Sequence, residues 1–406
     1  MAKGRAQTWI AVILVGAGLL IFGIGGLWTY MGATAKRLHP DPSQVPAAVN
    51  TAPGGVWAGA VERGRQVVRA SLAEQNLPGV SVAVGVGGEV AWAEGFGYAD
   101  LESQEPVTPS DRFRMGTAST VLTSVAAGLL LEEGKLRLDD EIQRYVPEFP
   151  KKQWPVRVRQ LMGHVAGVKN DGGDEGPLFS EHCGKPAEAV RHFGDSVLLF
   201  EPGTQFKYSS YGWILVSAAV EAAAGKPFLE YVKQRVFDPL GMRDTGADES
   251  KNPIPDGVTV YFPRFMARPE YGLHLMRDLD YSCYSGASVF VSTPSDLARF
   301  GMAVNGGKVL KRETVQLLQT TQRLARGGET GYGLGWDVET VTLGGRPVRA
   351  VGHDGEVLGG MAGSLVTLPE RGMAVAVMSN ISYADTHSLA VKIAEAFAEH
   401  GRAAGK

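Results

Sequence analysis

From Val80 to Val86 valine recurs at every second position, Gly87-Gly88 follows, and Val90-Ala91-Trp92 resumes the apolar run. Alternation broken by a Gly-Gly pair predicts two strands joined by a tight turn. The pattern returns near the C-terminus, where 364–368 and 373–378 flank Pro369-Glu370-Arg371-Gly372. In between, Leu122, Val125, Ala126, Leu129 and Leu130 fall at the spacing of a helix with one buried face, and Gly134 supplies its C-cap. A second helix, from about Gly212 to Ala224, ends at Gly225, and another precedes the first strand over 56–73. The last helix starts at Asp385 or Thr386 as N-cap and aligns Leu389, Ile393, Ala396 and Phe397 on one face. The expected fold class is α/β: hairpins from both ends sharing one antiparallel sheet, flanking terminal helices, and an inserted helical subdomain. Periodicity alone leaves the pairing of the two hairpins open.

A different pattern occupies the N-terminal region. From Trp9 to Tyr30 no residue is charged, a run long enough at 1.5 Å per residue to span a hydrocarbon core. Trp9, Trp28 and Tyr30 stand at its ends, where aromatic rings favour a membrane interface. Residues 1–37 are therefore expected to be a transmembrane anchor, with membrane as a partner. Ala33-Thr34-Ala35 also fits a signal-peptide cleavage site, but the apolar run exceeds the usual signal core. Lys3 and Arg5 place the N-terminus in the cytoplasm and the main domain outside it, as a single-pass protein, although Lys36 and Arg37 oppose them. Residues 38–56, rich in Pro, Ala and Gly, read as a linker, and 57–400 as the main domain.

The chain has 406 residues, 44% apolar and 20% charged, an ordinary globular composition. Of the net charge of -3, residues 1–37 contribute +4 and the remainder about -7, so nothing basic points to nucleic acid. Cys183 and Cys283 match no zinc spacing; in an oxidising compartment they are able to pair, but sequence does not show that they meet. His164, His182, His192, Asp171 and Asp174 lie in or near a Gly/Asp-rich loop without ligand spacing, so no metal and no cofactor is expected.

Candidate chemistry lies in separated segments. Arg114-Met115-Gly116-Thr117-Ala118-Ser119-Thr120 delivers a side chain to a helix N-terminus, where backbone N–H groups favour developing negative charge. Taken alone it reads first as a Ser/Thr helix cap. A second turn, 202–212, carries Tyr208-Ser209-Ser210 into a helix, and Gly352-His353-Asp354-Gly355-Glu356 precedes the last hairpin. The stretches 161–167 and 285–293 complete the set.

In this order and spacing the segments resemble the penicillin-binding-protein and class C β-lactamase superfamily of serine hydrolases, including mitochondrial lactamase-like proteins. LLLEEGKLRLDDEIQRYVPEFP and VFDPLGM strengthen the resemblance, which runs from about Ala58 to the C-terminus. The family pattern is S-x-x-K, Y-x-N and K-T-G or H-x-G. The resemblance implies that Thr117 stands at the nucleophile position and Thr120 at that of the paired lysine. It implies that Tyr208 is the proton shuttle, that Ser210 replaces an asparagine, and that His353 and Gly355 keep the H-x-G triplet. It also implies an oxyanion hole from the backbone N–H groups of Thr117 and Glu356, and a ligand that is a peptide, a cell-wall fragment or a small amide or ester. Relatives of this kind self-assemble, so an oligomer is in keeping with it.

The departures matter. A hydroxyl attacks only when something takes its proton, and Thr120 has no basic group. Tyr208 needs a nearby cation to ionise. The methyl of Thr117 restricts χ1. Losing acid–base help costs about 10²–10⁴ in rate. A shifted register using Ser119 fails because its side chain faces elsewhere and Leu122 follows three residues on. The expectation is a degenerate family member that keeps a binding pocket. The alternatives are a slow hydrolase using Thr117 with Tyr208 and His353, and a purely structural role.

Overall fold

The computed structural model describes residues 23, 25–49, 55–170, 176–248, 253–357 and 361–404. Seven strands form an antiparallel sheet: β1 (Ala47–Val49), β2 (Gly79–Val86), β3 (Glu89–Asp100), β4 (Asp337–Leu343), β5 (Arg346–Val357), β6 (Met361–Leu368) and β7 (Met373–Ser379). Their spatial order is β1-β3-β2-β7-β6-β5-β4, with the short strand Glu105–Pro106 added to β3. The two hairpins do pair. Val377 lies opposite Val82 and Val375 opposite Val84, which joins the two ends of the chain in one sheet. Gly87 and Gly88 take φ of 63° and 96°, the positive values the β2–β3 turn needs. β1 lies within the stretch read as linker, held on β3 as an edge strand.

One face of the sheet is covered by α1 (Ala58–Gln75) and by the C-terminal helix, Thr386–Ala404. Val61, Val68 and Leu72 from the first meet Leu389, Ile393 and Phe397 from the second over Val82, Val84, Trp92 and Phe96. On the other side lie α2 (Ser119–Glu132), α3 (Ser210–Ala224), which packs on α2 and not on the sheet, and α4 (Pro294–Asn305). We call the C-terminal helix α5. α2 differs from the one-faced helix that its stripe predicts, because every residue from Ser119 to Leu130 is buried. Its polar side chains are paired with groups on neighbouring segments. Thr123 Oγ1 donates to Gly286 O at 2.9 Å and Ser124 Oγ to Leu334 O at 2.6 Å, while Ser119 Oγ accepts from Phe290 N at 3.3 Å. Cys183 and Cys283 form a disulfide across a sequence separation of 100, with Cα atoms 4.9 Å apart.

The expected transmembrane helix requires correction. Most of the run from Trp9 to Tyr30 lies outside the described residues. Among the described residues no helix is long and apolar enough to cross a membrane. Its described end, 25–33, is docked on the folded domain. Trp28 packs edge-on against Phe265 and Tyr271, with ring centroids 5.8 and 5.5 Å away, and lies under the Arg268 guanidinium. Arg264 Nη2 donates to Met31 O and Thr34 Oγ1. An aromatic ring assigned to a lipid interface is thus committed to protein contacts.

Candidate active site

The turn that carries Thr117 is built into the core on both sides. Just before it, Arg114 pairs with Asp248 at 2.6 Å, both essentially buried, and the guanidinium lies over Tyr281. Met115 N donates to Phe290 O, and the 3-10 turn Gly116–Ala118 runs directly into α2. β5 presses against this turn. A Cβ on Gly355 would stand 2.0 Å from Met115 O and 2.8 Å from Ala118 N, so only glycine lets the strand approach so closely. Thr117 Oγ1 donates to the carbonyl of Asp354 at 3.2 Å, which ties the turn to the strand.

Thr117, Tyr208, Ser210 and Gly355 line one open cleft of about 720 Å³, together with Asn170, Asp354, Ser364 and His387. Ser210 is the first residue of α3. Ser209 caps that helix by accepting from Gly212 N, and Asn170 Oδ1 accepts from Ser210 N at 2.9 Å. An amide side chain therefore stands beside the position where the sequence has Ser210. Glu356 follows Gly355 on β5, in register with Ala362; its side chain lies outside the described surface.

Thr120 and His353 lie behind the cleft wall, buried. Thr120 Oγ1 donates to Thr117 O at 2.9 Å. His353 Nδ1 is 2.6 Å from Asp354 O, and its Nε2 is 2.9 Å from the hydroxyl of Tyr332. Burial, then the nearby Tyr208 and Asp337, pushes the Tyr332 phenol well above its ordinary value, so it stays protonated.

His164 completes this cluster from below. Its ring packs on Tyr208 with centroids 4.0 Å apart and on Tyr332 at 4.7 Å. Ser209 N–H donates to its Nδ1 at 3.1 Å, and Trp213 Nε1–H approaches Nε2 at 3.3 Å. Burial, followed by the proximity of His353, holds it well below its ordinary range, so it is uncharged at neutral pH. His164 therefore supplies no cation to Tyr208. The cleft lining contains no Lys or Arg among the described residues. His387, near the start of α5, is a cationic side chain in this lining, pushed up to about 10 by hydrogen bonds to Asp354 and Glu339.

A family profile described as beta-lactamase matches residues 65–398. The chain belongs to the beta-lactamase family. Among its relatives is the human serine beta-lactamase-like protein LACTB, mitochondrial, 28% identical over 84% of this chain and 80% of that protein. The octameric penicillin-binding protein homologue from Pyrococcus abyssi superposes with a TM-score of 0.69 at 25% identity, covering 82% of this chain and 76% of the homologue. D-amino acid amidase from Ochrobactrum anthropi SV3, in complex with L-phenylalanine amide, gives a TM-score of 0.70 at 24% identity, over 86% and 99% of the two chains, and shares the fold.

The resemblance to penicillin-binding proteins and class C β-lactamases thus holds at the level of family and fold. The expected placement as a single-pass membrane protein with an extracytoplasmic domain does not hold. No described helix is able to span a membrane, and the LACTB relative is mitochondrial by name. Three site residues escaped the sequence reading. Tyr332 sits in Gly331-Tyr332-Gly333-Leu334-Gly335-Trp336, where no periodicity or motif singled it out. Asn170 and His387 meet the cleft from segments distant in sequence. The stretch 161–167, singled out among the family-like segments, stops short of the first of these.

Proposed function

We propose that this beta-lactamase-family protein binds a peptide or a small amide or ester in the cleft and turns it over poorly or not at all. One observation carries the reading. The two threonines in the positions of the nucleophile and its lysine each direct a hydroxyl at a carbonyl oxygen, Thr117 at Asp354 O and Thr120 at Thr117 O. A carbonyl accepts a hydrogen bond but does not take up a proton at neutral pH, so neither contact activates Thr117. No Lys or Arg is among the described residues of the cleft lining, and the cationic His387 there is paired with Asp354 and Glu339. The surrounding shape is retained, since β5 still packs onto the turn through Gly355. The impaired activation step and the preserved cleft together favour binding over chemistry, at a rate cost of about 10²–10⁴ for the missing base. The amidase neighbour, bound to L-phenylalanine amide, suggests an amino-acid amide as a first probe. The octameric homologue adds self-association to the proposal.

The test uses intact mass after incubation with a fluorophosphonate, alongside titration with phenylalanine amide followed by NMR. The expected result is an unchanged mass and saturable shifts that are lost on Ser210→Trp, a substitution that fills the cleft. An adduct mapped to Thr117 would overturn the impaired-site reading. Absence of saturable binding by amides, esters and short peptides would overturn the binding reading. Light scattering on the same sample addresses self-association, and a monomer at tens of micromolar would remove that part.

A further inference from the structure

A second concavity, of about 370 Å³, lies where the short helix Arg312–Leu318 meets β5 and the β6–β7 turn. Arg312, Val315, Gln316 and Gln319 line it at i, i+3, i+4 and i+7, so one helical face forms a wall. Arg349 enters from β5, Pro369 from the turn and Asn305 from the end of α4. This pocket shares no lining residue with the Thr117 cleft. Along β5, Arg349 stands about 17 Å from Asp354 at the rise of an extended strand.

The protein fixes the polar groups of this pocket in place. Arg349 Nη2 donates to Gln319 O at 2.7 Å, and Gln319 Nε2 donates to Asn305 Oδ1 at 2.9 Å. The second bond leaves Asn305 Nδ2 as a donor, and Arg349 retains the rest of its N–H fork. What the pocket lacks is a counter-charge. Among the described residues neither arginine forms an ion pair, and no Asp or Glu lines the space; Glu313 and Glu370, neighbours in sequence, lie outside the lining. Other arginines held against the fold are matched: Arg65 by Glu94, Arg114 by Asp248 and Arg299 by Asp296. Two guanidiniums in one concavity without an acid suit a doubly charged oxyanion better than a single carboxylate. Val315 and Pro369 add an apolar wall, and the volume is that of a site for a small organic ligand, larger than a bare inorganic anion fills.

We propose that this pocket binds a phosphate monoester with a small organic body. Arg312 and Arg349 hold the phosphoryl oxygens, Asn305 Nδ2 adds a hydrogen bond, and the body rests against Val315 and Pro369. The site is independent of the cleft, and stands whether or not Thr117 turns over a ligand.

Calorimetric titration of the full chain with phenyl phosphate at low ionic strength tests this. Binding should saturate, and Arg312→Gln and Arg349→Gln should each weaken it at least ~10-fold, the effect of losing a hydrogen bond to a charged group. Arg349→Gln also breaks the bond to Gln319 O, whereas Arg312→Gln breaks no hydrogen bond to the described residues and is the decisive variant. Arg144→Gln, which removes one exposed charge outside the pocket, should change affinity less than ~2-fold. In the same titration followed by NMR, the side-chain amide resonances of Asn305 and Gln319 should shift. No lining residue titrates between about pH 5 and about pH 7, while a phosphate monoester gains its second charge near pH 6. Affinity should therefore rise about 10-fold across that range. Absence of saturation, unmoved amides, or equal weakening by Arg312→Gln and Arg144→Gln overturns the site. Saturable binding that is flat with pH, or that is tighter for phthalate, overturns the choice of a phosphate monoester.

Discussion

The two faces of the central sheet are built on opposite terms. Toward α1 and α5 the interface is almost wholly apolar: Leu72, Trp92, Phe96, Leu389, Ile393 and Phe397 interlock, and Phe397 lies between Trp57 and Trp92 at 5.5 and 6.1 Å. Glu94, buried on this side, is matched by Arg65 and by Trp92 Nε1. Toward α2 the interface threads polar side chains through the core. Thr120, Thr123, Ser124, His164 and His353 are all buried, and each has a named hydrogen-bond partner. On the first face any side chains of the right volume suffice, because burial is non-directional. On the second, each residue depends on one particular neighbour, because an unpaired buried polar group is costly. Under the proposed assignment of Thr117 and Thr120, this difference accounts for a nucleophile and base that are replaced while the frame persists. On that assignment the changes are hydroxyl for hydroxyl at Thr117 and small polar for long cationic at Thr120, and both side chains are satisfied by backbone carbonyls.

The comparison is broken most directly on the apolar face. Phe397→Ala should cost about 3–5 kcal/mol, the usual range for emptying a large aromatic from a packed core, read as a lower urea midpoint. The amide-induced shifts in the cleft should survive below the new midpoint. A loss under about 1 kcal/mol would mean that α5 is not a packed partner of the sheet. On the polar face, Gly355→Ala forces a Cβ toward the Met115 carbonyl, which is backbone and moves only if the turn moves. Overpacking of this kind costs about 1–3 kcal/mol. Its distinguishing effect should be on the site, with phenylalanine amide binding weakened at least ~10-fold (about 1.4 kcal/mol). Stability loss with unchanged binding would separate Gly355 from the cleft geometry.

Legibility in the sequence follows the same division. The apolar face was readable because its residues recur at fixed spacings: the valines of β2, the mirrored run in β7 and the stripe on α5 each announce an element and its buried side. Pairing of β2 with β7 was the natural use of two such hairpins but needed the structure to establish it. α2 was read as one-faced, since periodicity records where apolar residues fall and not that serines and threonines on the opposite side are also enclosed. In the site, the positions of Thr117, Tyr208, Ser210, His353 and Gly355 emerged from local turns and family spacing, and the structure brings them to one cleft or its back wall. Tyr332 did not emerge. Its significance is a contact between residues 21 apart in sequence, and no pattern along a single segment encodes it. The Trp9–Tyr30 run misled for the related reason that hydropathy describes a segment's affinity for an apolar phase without naming the phase; Trp28 meets Phe265 and Tyr271.

The smallest expected effect lies where the polar face opens to solvent. His387 Nδ1 is 3.1 Å from Asp354 Oδ2 and its Nε2 is 3.2 Å from Glu339 Oε1, which bridges α5 to β4 and β5 at the edge of the cleft. These contacts raise its pKa to about 10, against 6.5 for the free group. Because the folded-state value is the higher one, the folded protein holds the proton more tightly than the unfolded chain. The resulting stabilisation is complete below about pH 6.5 and fades as pH rises through 10. The three side chains are 32% to 49% exposed, so water screens the pair and only about 1 kcal/mol is expected to survive. The stability difference between the wild-type chain and His387→Gln should therefore be near 1 kcal/mol at pH 6 and approach zero by pH 10 to 11, and should shrink in 1 M salt. A difference that stays flat across this range would show that His387 contributes packing alone. A difference that grows with pH would reverse the assigned sign and place the charge of His387 among the costs of folding.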